Sequence, residues 1–543
     1  MKRARPFIIS LMAVAAITQH PSCQRYDRHW IGLESDASYH VAFMRFDPDS
    51  IHYLLSGVTS KIQSSHGSLA MSDAEGELQF YTNGNVVVSW DHHIMQGGKG
   101  FNQGASSDDY LYNPPWQTEP DTLLNSSYNP YTYRIIPDAY DAHTYYMIHA
   151  FVTEIADCKY FNVPKMQISK IDMAANGGKG KVIYKNRYFD EELMAAGFAL
   201  VRHGNGKDWW VVLRKQDGLA YKSILLQRDS VVQVVHSTIP GLSSDWFSWN
   251  DCAQASGCLL EVSDDGSRLL DKFGEDWAKL LAFDRCSGSV SLLDTFRLGI
   301  TPLVTSGGVV IDCDIYTLKF SPSGRYMYGA GYAEFAQWNL EAANIRASKV
   351  KLGGVPWWLD EEQNVVEGIP GGFTVFATGP DGKMYNLLRT SHSVIEHPDE
   401  KGAASGLCLA ADNPPSCLGD NVPYWLYSDR HPNFRLGALE GSACDSILSN
   451  VPSLAPNSGY RVAVSPCAAA VQAQVEITLP GYSGSSAEIQ VVDMLGRAVY
   501  RHRFAPFAYL HTLEVQDWTP GVYNIVLLDR GRWKAVARLV VAR

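Results

Sequence analysis

Along most of the chain, apolar residues come in short runs separated by small polar turns. "SDAEGELQFYTNGNVVVSW" begins at Ser72, "DAHTYYMIHAF" at Asp141 and "GNGKDWWVVLRK" at Gly204. The pattern returns in "SDDGSRLLDKF" from Ser263, "SPSGRYMYGAGYAEFAQWNL" from Ser321 and "GPDGKMYNLL" from Gly379. Each unit is a turn, usually with Asp, Asn or Ser shortly before Gly, followed by β-branched and aromatic residues. Gly supplies the positive φ of a tight turn, and Asp or Asn bonds the neighbouring backbone. The runs themselves suit a pleated surface packed on another sheet. Helical periodicity is nearly absent, and only Glu191–Ala199 and Glu341–Ser348 read as short helices.

The turn glycines 76, 206, 266, 324 and 382, with the turn near Ala142, recur at intervals of about 60 residues, which suits a four-stranded blade with generous loops. An all-β chain is expected. Residues 24–445 should form a β-propeller of seven blades, with six as the alternative, and the first strand should pair with the last blade to close the ring. From Ser446 the pattern changes. "SILSNVPSLAPNS" reads as a linker over 446–459, and the alternating strands of 460–543 predict a small β-sandwich.

Charge and the chain ends narrow the setting. The net charge of −11, without Lys/Arg blocks, argues against nucleic acid and anionic membrane as partners. Residues 1–23 read as an export signal: Lys2, Arg3 and Arg5 precede the apolar stretch Pro6–Ile17. That stretch is too short to span a bilayer, and no later segment reaches spanning length. His20-Pro21-Ser22-Cys23 loosely resembles a lipidation motif, with His20 where an aliphatic residue is wanted. Ten cysteines suit an oxidising compartment. Candidate disulfides are Cys252–Cys258, Cys286–Cys313 and Cys408–Cys417. No C-x-x-C pair or His cluster supports a metal site, and no cofactor is expected.

The C-terminal segment carries a resemblance. Asp493, Gly496 and Arg497 form D-x-x-G-R, Gly521 and Tyr523 form G-x-Y, and Lys534 and Arg538 stand in a basic, apolar last strand. This order resembles the type A C-terminal sorting domain of the type IX secretion system of Bacteroidota. Val464-Ser465-Pro466-Cys467 stands where that family opens with a Tyr-Pro-Asn-Pro-like motif. The propeller, through segments such as "LAFDRCSGSVSLLD" and "HPNFRLGALEGSACDS", resembles large secreted propeller proteins of the same group. The resemblance implies engagement with the type IX machinery and secretion or attachment at the outer surface. It implies no chemistry.

Candidate chemistry is sparse. His-Glu-x-x-His, G-x-S-x-G and P-loop signatures are missing. Asp91, Asp245, Asp251, Asp312 and Asp314 could supply a carboxylate pair for glycoside hydrolysis. Solvated loop acids are the commoner case. His92, His93, His143 and His149 read as structural. Trp246, Trp249, Trp357 and Trp358 lie in loop-like segments and could stack on a sugar or anchor a protein. Trp209 and Trp210 lie in a strand run and read as packing. The resulting expectation is a non-catalytic propeller that binds a glycan, matrix component or surface protein. A propeller-based glycan hydrolase or lyase is the first alternative and a structural surface protein the second.

Overall fold

The computed structural model describes most of the chain between Gln24 and Val541. The longer segments outside that description are 1–23, 34–39, 63–67, 103–132, 241–259, 305–309, 368–375, 409–416, 418–425, 445–460 and 479–486, together with shorter loop stretches. The chain divides into two compact units, residues 1–437 and 438–543.

The first unit is a series of antiparallel meanders. Among the described residues there are seven, opening at His29–Leu33, Leu69–Ser72, Tyr133–Asp138, Met194–Arg202, Leu260–Val262, Ile315–Phe320 and Phe376–Thr378. The first shows three strands and each of the others four. Short hairpins at 303–311 and 358–367 are inserted between blades.

The predicted turns occupy one equivalent place. Each joins the first strand of a blade to its second. Gly76, Gly206, Gly266, Gly324 and Gly382 donate their N–H to the carbonyl three residues earlier, on Asp73, His203, Ser263, Ser321 and Gly379. All five have positive φ. Side chains complete the turns: Asp73 Oδ1 accepts from the N–H groups of Glu75 and Glu77, and Asp265 Oδ1 accepts from that of Ser267.

Burial shows how the ring holds together. Ile31 and Phe43 of the first blade pack with Tyr81 and Val88 of the second. Phe80, Tyr145 and Trp209 share a core across the second, third and fourth. Trp210 and Tyr221 meet Leu269 and Leu281 of the fifth, and Leu270 and Leu280 meet Trp338 of the sixth. Phe335 packs with Phe376 and Met384 of the seventh, and Tyr385 returns to Trp30 and Phe46 of the first. The circuit of apolar contacts is therefore closed. Backbone pairing agrees: Leu426–Tyr427 bonds both to the first strand, at Gly32, and to Met384–Arg389 of the last blade. The architecture is a β-propeller.

Glu191–Ala199 corrects a helical expectation. Met194–Arg202 is the first strand of the fourth blade, with Gly197 at φ +86° beside an irregularity in its pairing. Burial of Met194, Phe198 and Val201 overrides the local helix propensity. Of Glu341–Ser348 only Arg346–Ser348 is helical, as a 3₁₀ turn.

The second unit is a sandwich. Arg461–Ser465, Gln472–Thr478 and Leu510–Glu514 form one sheet. The other contains Ala468–Ala469, Arg532–Val541, Gly521–Asp529, Ala487–Val492 and Ala498–Arg503. Val475, Ile489, Ile525 and Leu539 fill the space between them.

Candidate functional site: the propeller axis and the sorting domain

The first strands of six blades converge on one cavity of about 210 Å³, which places it on the propeller axis. Trp30, Arg134, Leu200, Glu261, Lys319 and Thr378 each come from a different blade. The segment His431–Leu436, which follows the last blade, contributes part of the wall.

That segment is fastened to distant blades. Arg435 makes a two-pronged pair with Asp27, at 2.7 and 2.8 Å. Asn433 donates to the Asp264 carbonyl at 2.7 Å and turns its own backbone by accepting the Arg435 N–H. Phe434 is fully buried against the edges of Tyr26 and Trp209. Arg285 of the fifth blade donates to the Gly437 carbonyl.

Charges on the cavity wall are largely matched. Glu261 and Lys319 pair at 2.9 Å, alongside Asp27 and Arg435. Asp264 differs: burial raises its carboxyl above the usual range, against the lowering influence of Lys319 and Arg435.

The predicted aromatic candidates are not brought to this cavity. Trp246, Trp249 and Trp357 lie outside the described residues, and Trp358 sits in the inserted hairpin, paired in register with Glu367. Trp209 and Trp210 are buried packing residues. Asp91 is ion-paired with Lys179 at 3.0 Å; Asp245, Asp251, Asp312 and Asp314 lie outside the description. His149 is fully buried, with Nδ1 facing Asn102 and Nε2 facing Ser169. Among the described residues no group of three His, Cys, Asp or Glu is placed to hold a metal.

Of the disulfide candidates, Cys408–Cys417 is formed. Cys286 is also disulfide-bonded, while Cys252, Cys258 and Cys313 lie outside the description. Cys444, for which the sequence suggested no partner, is disulfide-bonded as well.

The sorting-motif residues have clear local roles. Asp493 and Arg497 close a hairpin turn: Arg497 N–H donates to Asp493 Oδ1 at 2.9 Å, and its Nε donates to Oδ2 at 2.7 Å. Gly496 lies between them, outside the described residues. Gly521 opens the next strand. Tyr523 is buried, donates to the Thr519 carbonyl at 2.7 Å and packs on Trp518. Lys534 and Arg538 lie on the last strand, Arg538 in register with Asn524.

Residues 470–542 match the secretion system C-terminal sorting domain. The chain is a type IX cargo. The match covers all of the sandwich but its first two strands, and export to the outer surface or the medium follows from it. No helix among the described residues is long and apolar enough to cross a membrane.

No curated protein matches the chain. Solved structures similar to this cargo include a candidate 6-phosphogluconolactonase from Bacteroides fragilis, at 10% identity and a TM-score of 0.37, covering 74% of this chain and 97% of the other. The periplasmic gluconolactonase of Pseudomonas aeruginosa follows at 11% and 0.33, with coverage of 74% and 97%. The Swd1 β-propeller domain of Myceliophteria thermophila stands at 10% and 0.28, with 73% and 97%. Likenesses this remote say nothing of activity or ligand.

Proposed function

We propose that this cargo is a non-catalytic binding propeller, presented outside the cell to a glycan, matrix component or surface protein. The observation that carries the reading is the state of the axial acids. Asp27 is held by both prongs of Arg435, and Glu261 is held by Lys319. Glycoside hydrolysis needs two carboxylates with separate duties, one to deliver a proton and one to attack or activate water. Both of these acids are fixed in ion pairs, so Asp264, whose carboxyl burial raises, has no second free carboxylate among the described residues of the wall, which favours recognition over turnover. The recurring glycine turns serve backbone geometry.

The test is an array of glycans and extracellular proteins probed with the mature chain, followed by assays for cleavage of whatever binds. Binding without product release is expected. Product release would establish the enzyme alternative, and a blank array on well-folded protein would leave the structural role.

A further inference from the structure

Of the tryptophan side chains the structure describes, only Trp90 is exposed, at 47%. It stands in the turn that joins the third strand of the second blade, Val86–Ser89, to the fourth, Ile94–Lys99. That turn grips the equivalent turn of the third blade, residues 173–180, with three consecutive side chains. Ser89 Oγ donates to the Lys179 carbonyl at 2.6 Å, Trp90 Nε1 donates to the Gly178 carbonyl at 2.9 Å, and Asp91 pairs with Lys179 at 3.0 Å. The indole N–H is thereby satisfied, and the ring is held in place before any guest arrives. The surface beside the ring is low. Asn176, Gly177 and Gly178 run through left-handed backbone, and a Cβ built on Gly177 or Gly178 meets nothing within 4 Å. Polar groups stand around this shelf: Asn176, Lys179 and His93 are all exposed.

We propose that Trp90 and the shelf 176–179 bind a neutral pyranose ring of a polysaccharide. The assignment rests on the binding role above and selects the glycan among its ligands. A pyranose has an apolar C–H face and a rim of hydroxyls. The face lies on the exposed indole, and the rim meets the donors and acceptors of Lys179, His93 and Asn176. A protein partner is a poorer match. Protein interfaces centre on contiguous apolar area, whereas this ring is alone among small and polar residues. Charge sets the class: Asp91 and Lys179 offset each other beside the ring, so the shelf itself selects neither sign. The grip between the turns explains the N–H of Trp90, and a guest explains why the face of the same ring is left open.

Affinity electrophoresis of the full mature chain through gels holding laminarin, xylan, mannan or hydroxyethylcellulose tests this, with alginate as the anionic comparator. Retardation by at least one neutral polysaccharide is expected, stronger than that by alginate. Trp90→Phe and Trp90→Leu both lose the N–H, and only the first keeps a ring face. Trp90→Leu should weaken binding by about tenfold and Trp90→Phe by about threefold. Ser89→Ala loosens the grip between the turns but keeps the ring, so it should bind as the parent does. Thermal melting checks that the variants fold. Hydroxyl-radical footprinting of the parent, read by mass spectrometry, needs no variant: the retarding polysaccharide should protect Trp90. The proposal is overturned if no neutral polysaccharide retards the chain, if alginate retards it more, if Trp90→Leu binds as the parent does, or if Trp90 stays unprotected. A ligand found on the arrays whose binding is unchanged in Trp90→Leu would sustain the binding role and remove this site from it.

Discussion

Gly324 and Gly382 occupy the same turn in neighbouring blades, and their surroundings differ in a way that allows the strain to be dissected. Both are left-handed, at φ +71° and +80°. A Cβ built on Gly382 meets nothing within 4 Å. One built on Gly324 would overlap Arg268 Nη2. Alanine at Gly382 should therefore incur the left-handed penalty alone, about 1 kcal/mol. Alanine at Gly324 incurs the same penalty and also displaces the Arg268 guanidinium, which sits 5.5 Å from the centroid of the Phe320 ring. Losing that cation–π contact adds about 0.5–1 kcal/mol. Because the obstructing atom is the end of a flexible side chain, the clash should relax and not unfold the blade. Urea unfolding followed by tryptophan fluorescence measures the two costs, expected at about 1.5–2 kcal/mol for Gly324→Ala against about 1 for Gly382→Ala. In an Arg268→Ala background the two should become equal. Near-neutral results at both sites would refute the shared turn. A Gly382→Ala cost equal to that of Gly324→Ala in the parent would refute the steric argument.

Three further outcomes are expected. Burial lowers the pKa of His149 to about 3, so the folded state keeps it neutral while the unfolded chain protonates near the usual 6.5; stability is full above that pH and falls by about 1.4 kcal/mol per pH unit as pH drops toward 3. His149→Gln should flatten part of that acid limb in unfolding curves taken between pH 7 and 4, and an unchanged slope would contradict the buried neutral ring. Asp271 is fully buried between Arg214 and Lys279 and accepts from the Tyr221 hydroxyl, so Asp271→Asn should destabilise by about 3–5 kcal/mol, measured by denaturant midpoint; a loss under 1 kcal/mol would show that the latch between the fourth and fifth blades is not held by this charge. Truncation before residue 470 should leave a folded propeller retained in the periplasm, read by cell fractionation, and normal surface levels would contradict the sorting role.

What could be read in advance tracks how local each determinant is. The hairpin turns were legible because a few adjacent residues dictate them: an acceptor carbonyl, an Asx or Ser side chain and a glycine three positions on. Five blades announce themselves this way, and the third turns between Asp138 and Asp141 without a glycine. The first does not, since Glu34-Ser35-Asp36-Ala37-Ser38-Tyr39 between its first two strands carries no glycine. It could be inferred only from the chain length left over. Met194–Arg202 shows the opposite failure: "EELMAAGFA" is locally a good helix former, and only burial of Met194, Phe198 and Val201 makes it a strand. In the sandwich, Asp493 and Arg497 are four residues apart and bond directly, which is why their motif was readable.

The axial site lies at the far end of that scale. Arg435 meets Asp27 across 408 positions of sequence, and Trp30 and Thr378 come from opposite ends of the repeat series. Nothing near "HPNFRLG" marks it as a wall of the axial cavity, because its partners exist only once the ring has closed. Closure also explains why the wall is uneven. Five turns repeat one solution, whereas six of the first strands contribute different residues to the axis, among them Trp30, Arg134, Leu200, Glu261, Lys319 and Thr378. A repeat that needs only to pack could place similar residues at equivalent axial positions. Here the turn chemistry is held nearly constant, while five residues before the turn glycine the fifth, sixth and seventh blades carry Glu261, Lys319 and Ala377 on the cavity wall. Packing of the blades accounts for the constancy, and a divergent axial wall is what the proposed binding role requires.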